Sequence, residues 1–175
     1  MTATFPYSIS FTPVAGCSYT GVATGTNSFL AGRSTTVLAA FLEDCIDQPC
    51  GTVGCSLTQG FWKNHPEDWP VTTLTLGTVS YSQTDLLKIL GQPVKGNGLV
   101  SLAHQLIAAK LNIANGASGA VINSTIASAD ATIGALVVPP IGTGSLSTSS
   151  VGGLVTSLDN YNSGLIAGGP GHCSQ

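Results

Sequence analysis

Thirteen charged side chains must keep a chain of 175 residues in solution, five Lys and Arg with eight Asp and Glu, or 7 % of the sequence. An ordinary soluble domain carries about one quarter. Mean hydropathy is +0.35. A chain of this kind either lies in a membrane or has much of its surface covered by something else. Residues 1–32 carry no charge, nor do residues 131–158. Both stretches are interrupted by Gly, Pro, Ser and Thr, whereas a bilayer span needs about 20 predominantly apolar residues. No membrane span is therefore expected. The surface is expected to be covered by contacts, because large uncharged apolar faces mark them.

The basic residues Arg33, Lys63, Lys88, Lys95 and Lys110 are scattered. Nucleic acid, which requires clustered cations against phosphate, is excluded as a partner. Cys17, Cys45, Cys50, Cys55 and Cys173 contain no Cys-x2-Cys pair of the zinc type. The spacing of Cys45, Cys50 and Cys55 suits short disulfide loops, hence an oxidising compartment and an extracellular or cell-surface location. Five is odd, so one thiol is left free or pairs between chains. Met1-Thr2-Ala3-Thr4 lacks the basic and apolar regions of a leader. Numbering from a mature end, or another export route, is expected.

The pattern divides the chain into an extended arm, residues 1–54, and a helical domain, residues 55–175. In the arm, Phe5, Tyr7, Ile9 and Phe11 alternate with polar residues and predict a strand with one buried face. Cys17–Val22 repeats the alternation more weakly. Thr35–Cys45 fits helix and strand, with strand preferred. Residues 56–80 read as a loop-rich segment, with a short strand over Thr73–Tyr81. Ser82-Gln83-Thr84-Asp85 resembles a capping box opening a short helix over Leu86–Leu90, closed by Gly91 and Pro93. A second helix is predicted over Leu99–Ile113. It is apolar almost all round, with Ser101, His104, Gln105 and Asn112 as its narrow polar stripe, which marks a central, buried helix. A third is predicted from Ala120 to Leu136, ended by Pro139-Pro140. A fourth starts near Ser149, carries Val151, Leu154, Val155, Leu158, Tyr161 and Leu165 on one side, and stops at Gly168-Gly169-Pro170-Gly171. The expected fold is α+β, a β-rich arm followed by a bundle of about four helices.

The densest cluster of chemically capable residues is Cys55-Ser56-Leu57-Thr58-Gln59-Gly60-Phe61-Trp62-Lys63-Asn64-His65, continuing through Pro66, Glu67 and Asp68 to Trp69. This string resembles the signature of a domain found in exported bacterial proteins, Cys-x-x-Thr-Gln-Gly-(Phe/Tyr)-Trp-Lys-Asn-His. Gly96–Leu99, Leu102–Asn112 and the closing Gly169–Cys173 match further segments, so the resemblance covers about residues 54–174. It implies export and an independently folding helical unit, and it implies no reaction. The signature begins at Cys55 and ends at Cys173. A bond between them would tie the two ends of the bundle together, worth roughly 4 to 5 kcal/mol in the chain-entropy model. The three arm cysteines would then form one bridge and leave one thiol over.

His65, His104 and His172, with Glu67 or Asp68, are the residues from which a catalytic zinc site would be built, although no short helical His pair is present. The alternative is that His104 is buried and hydrogen-bonded to Gln59 or Asn64 of the tryptophan segment, within a structural polar cluster of Gln59, Trp62, Asn64, His65 and His104. Trp62 and Trp69, with Phe61 and Tyr81, would serve as a sugar-stacking platform if exposed. Otherwise they cap the bundle, with Lys63 across an indole. No Gly-x-Ser-x-Gly motif is present. Gly142–Leu146 reads as a flexible loop, and Asp85, Asp130 and Asp159 as caps or surface charges. No cofactor is expected. The chain reads first as a self-assembling subunit of an extracellular filament, sheath or surface layer, docking through Phe5, Tyr7, Ile9 and Phe11 on a neighbour's sheet edge. A secreted metal-dependent hydrolase and a carbohydrate-binding module are the rivals.

Overall fold

The computed structural model describes residues 54–173. The strands expected at Phe5–Phe11 and Cys17–Val22, the segment Thr35–Cys45 and the three arm cysteines lie outside them. The order of elements is α1 (Gln59–Asn64), a 3-10 turn (Pro66–Asp68), β1 (Thr73–Leu76), β2 (Val79–Ser82), α2 (Gln83–Gly91), α3 (Gly98–Ala114), α4 (Asn123–Ile133) and α5 (Thr148–Asn162). The described unit is α+β, made of helices and a small two-stranded sheet.

The fold is organised on α3. Thirteen of its 17 residues are buried, so it can only be central, and it touches α1, α2, α4, α5 and β1. Asn97 caps it, its Oδ1 accepting from Leu99 N at 2.9 Å while its Nδ2 donates to the Gly144 carbonyl at 3.0 Å. One side chain thus starts the helix and anchors the 142–146 loop against it. Gly98 is required where α3 meets the start of α5: a Cβ there would lie 2.6 Å from the Ser147 carbonyl oxygen.

Ser82 caps α2 as its sequence foretells. Its Oγ accepts from Asp85 N at 3.3 Å and donates to Asp85 Oδ2 at 2.8 Å. The single strand expected over Thr73–Tyr81 is instead an antiparallel hairpin, with Leu74 opposite Tyr81 and Leu76 opposite Val79. Its two-residue turn, Gly77-Thr78, needs the positive φ of 61° that Gly77 supplies. Leu76 and Tyr81 point into the core, and Tyr81 Oη accepts from Val138 N at 2.9 Å.

Three boundaries differ from expectation. The supposedly irregular segment 56–80 contains α1. The third helix begins at Asn123, not Ala120, and ends at Ile133 because Gly134 (φ 52°) turns the chain. The last helix ends at Asn162, short of Gly168, because Gly164 (φ 68°) already breaks it. Leu165, expected on the apolar side, is consequently 73 % exposed.

Beyond Gly164 the chain returns to the beginning of the unit. Ser56 N donates to the Gly171 carbonyl at 2.9 Å and Cys173 N to the Ser56 carbonyl at 3.0 Å, a parallel bridge between Ser56 and His172. Beside it, Cys55 and Cys173 are joined in a disulfide with their Cα atoms 5.2 Å apart, within the usual range.

The large apolar face expected from the low charge is absent from the described surface. Only Ile141 and Leu165 are exposed large hydrophobics among the described residues. The outer sides of α4 and α5 carry Asn123, Ser124, Ser128, Thr132, Ser149, Ser150 and Thr156. Among the described residues, no helix is long and apolar enough to cross a membrane.

Candidate functional site

The tryptophan segment gains its structure from one cap and one anchor. Thr58 Oγ1 accepts from Phe61 N at 3.3 Å and starts α1. One turn of helix is marginal alone, but it carries Trp62 into the core with no exposure. Trp62 Nε1 donates to Asn112 Oδ1 at 3.0 Å, and Trp69 Nε1 donates to the Trp62 carbonyl at 2.7 Å. The two indoles are therefore interior supports of the segment, and Trp62, Trp69 and Tyr81 present no open ring face for a sugar. Lys63 and Asn64 are exposed. His65 stacks on Phe61 with ring centroids 4.3 Å apart, and its Nδ1 donates to the Phe61 carbonyl at 3.0 Å.

Asn112 is the hub. Fully buried, its Oδ1 also accepts from Leu57 N at 2.9 Å, and its Nδ2 donates to the Leu57 carbonyl at 2.9 Å and to Asn162 Oδ1 at 3.0 Å. Asn162 Nδ2 donates to Gln105 O at 3.0 Å and Gln105 Oε1 at 2.9 Å. Gln105 Nε2 donates to Asp159 Oδ1 at 3.0 Å. A continuous chain of hydrogen bonds thus runs from Trp69 through Trp62, Asn112, Asn162 and Gln105 to Asp159 at the surface. No buried side-chain nitrogen or oxygen among the described residues is left without a partner, as a polar network in a core requires. The polar stripe of α3 had pointed to Gln105 and Asn112. Asn162 and the inward role of Asp159 were missed, although their i, i+3 spacing on α5 places them on one face.

His104 is buried, as expected, but its partner is neither Gln59 nor Asn64. Its Nε2 meets the Ile89 carbonyl oxygen at 2.7 Å. Ile89 is in the last turn of α2, and its carbonyl also accepts from Gln92 N at 2.9 Å, so the imidazole uses the second lone pair of an oxygen that already closes the helix. Burial pushes the His104 pKa below 6.5, the nearby positive Lys63 pushes the same way, and the Ile89 bond opposes both.

The three histidines go to three places: His65 at the carboxy-terminal cap of α1, His104 against the end of α2, and the exposed His172 at the carboxy-terminal bridge. No three His, Cys, Asp or Glu side chains among the described residues are grouped to hold a metal. Asp130 serves structure, accepting from Gly77 N at 2.9 Å and pairing with Lys110 Nζ at 2.6 Å, whose ammonium also caps the Thr75 carbonyl.

A groove of about 460 Å³ opens beside α1, lined by Thr58, Gln59, Gly60, Lys63, Leu90, His104 and Asp159. It is where the surface end of the polar chain and the buried imidazole come together. Compared with family models, curated proteins and solved structures, the chain matches none.

Proposed function

We propose that the protein is an exported structural subunit that assembles into an extracellular filament, sheath or surface layer. Residues 55–173 are its locked unit, and the amino-terminal row Phe5, Tyr7, Ile9 and Phe11 is its means of pairing with a neighbour. The observation that supports export is the Cys55–Cys173 disulfide, closing 118 residues of sequence beside the Ser56–His172 bridge, while the assembly part of the reading rests on the uncharged amino-terminal sequence. Such bonds persist in oxidising compartments, and the resemblance to exported bacterial domains points the same way. The residues that carry the resemblance support it too. Trp62 is bonded to Asn112, and the 171–173 segment to Ser56 and Cys55, which is the work of a scaffold.

Light scattering and electron microscopy of the full chain under oxidising conditions test the proposal. Extended or large particles are expected, and removal of residues 1–30 should leave a folded helical monomer. A full-length chain that stays monomeric at high concentration overturns it.

A further inference from the structure

His104 lines the groove beside α1 and has a ring nitrogen with no hydrogen-bond partner among the described residues. A carbonyl oxygen only accepts, so the 2.7 Å contact with Ile89 requires His104 Nε2 to carry the proton. In the neutral ring Nδ1 is then a bare acceptor. His104 is 8 % exposed, and among the described residues every fully buried side-chain nitrogen or oxygen is hydrogen-bonded. Nδ1 has no such bond among the described residues, so it is not fully buried, and His104 is part of the groove's lining.

The other lining groups define what fits there. Leu90, 5 % exposed, adds an apolar side chain to the lining that includes His104. An anion placed against Nδ1 would face an acceptor lone pair. A neutral hydroxyl can donate to Nδ1 at small desolvation cost. At the rim, the Gln59 amide offers both donor and acceptor, Lys63 donates, and Asp159 has its Oδ2 available, since Gln105 occupies Oδ1. Lys63 and Asp159 are of opposite sign and form no ion pair with each other. Such a set suits a molecule that is neutral and both donates and accepts at several points. The volume lies within the range of small-molecule sites.

We propose that this groove binds a saccharide unit, one hydroxyl donating to His104 Nδ1 and others bonding Gln59, Lys63 and Asp159. The site is distinct from the tryptophans, whose rings are buried, and it stands whether or not the chain assembles.

Saturation-transfer NMR on the full chain, which tolerates large particles, tests it with cellotetraose, maltotetraose and chitotetraose as probes, and trialanine and inorganic phosphate as competitors. Transfer to at least one saccharide is expected, undiminished by either competitor. Gln59→Ala and Lys63→Ala, each checked for folding by circular dichroism, should weaken binding about tenfold, the loss of one hydrogen bond. Diethyl pyrocarbonate, which attacks unprotonated imidazole, supplies a readout at His104 itself. At ten times the dissociation constant the saccharide should slow His104 modification about tenfold and leave exposed His172 unaffected. Lack of transfer to all three saccharides, displacement by trialanine or phosphate, unchanged binding in both variants, or a His104 inert to the reagent without ligand would overturn the proposal.

Discussion

Replacing Asn112 by alanine should bring this protein close to unfolding. Four groups depend on that side chain: the Leu57 N–H and Trp62 Nε1–H as donors, and the Leu57 carbonyl and Asn162 Oδ1 as acceptors, at 2.9 to 3.0 Å. Leu57, Trp62 and Asn112 have no exposure and Asn162 has 1 %, so bulk water does not replace the lost bonds. An orphaned buried polar group costs about 1 to 3 kcal/mol. Four sharing one cavity are not additive, and the lower limit for each gives about 4 kcal/mol together. Domains of this size have about 5 to 15 kcal/mol in all. Guanidinium unfolding with the disulfide intact, followed by circular dichroism, measures the loss. Asn112→Leu separates polarity from volume: it refills the space but leaves all four partners unpaired, and should be no more stable than alanine. A leucine variant within about 1 kcal/mol of the parent would refute the idea that Asn112 holds the segment by hydrogen bonding.

Two further outcomes follow from the geometry. Replacing Cys55 and Cys173 by serine should lower stability by about 5 kcal/mol at most, the chain-entropy limit for a loop of this length; recovery of Cys173 alkylated without reductant in peptide mapping would show the bond is not made. His104 titrates near 6.5 when unfolded and lower when folded, so its contribution is complete above pH 6.5 and is lost as pH falls towards the folded value, because the unfolded chain takes the proton first. Unfolding midpoints at pH 7.5 and 5.5 should fall more steeply for the parent than for His104→Gln, and equal slopes would reject the assignment.

What the sequence disclosed was what local chemistry decides. The Ser82–Asp85 cap works within one turn, and the apolar girth of α3 repeats over four turns, so both were legible. Helix α1 was not, because six residues are too few to show a period and its stability comes from a Trp62–Asn112 bond across 50 residues. The ends of α4 and α5 were legible in principle, since Gly134 and Gly164 stand at the breaks; stronger punctuation downstream, Pro139-Pro140 and Gly168–Gly171, drew attention away from them. The bond from His104 to Ile89 has no sequence signal, for it depends on where packing sets the end of α2 against α3. The same holds for the groove, whose residues come from α1, α2, α3, α5 and the residue before α1.

The low charge that first implied a covered surface has another explanation in residues 54–173. Neutral hydroxyls do the solvating. Ser128 and Thr132 donate to carbonyls one turn back at 2.9 and 2.8 Å, and Ser150 donates to the Ser147 carbonyl at 2.8 Å. Each remains exposed, with its oxygen still able to accept from water. A hydroxyl-coated helical unit needs neither many charges nor a covering partner to stay in solution. Charge scarcity in this unit is therefore not evidence of assembly. The case for assembly rests on the uncharged amino-terminal sequence, where Phe5, Tyr7, Ile9 and Phe11 stand at alternate positions with no charge or proline between Tyr7 and Phe11 to discourage edge pairing. It follows that substitutions on the hydroxyl faces of α4 and α5, such as Ser128→Glu, should leave particle size unchanged in light scattering, whereas Ile9→Lys should abolish it. Dispersal by the α4 change instead would place the contact on the helical unit.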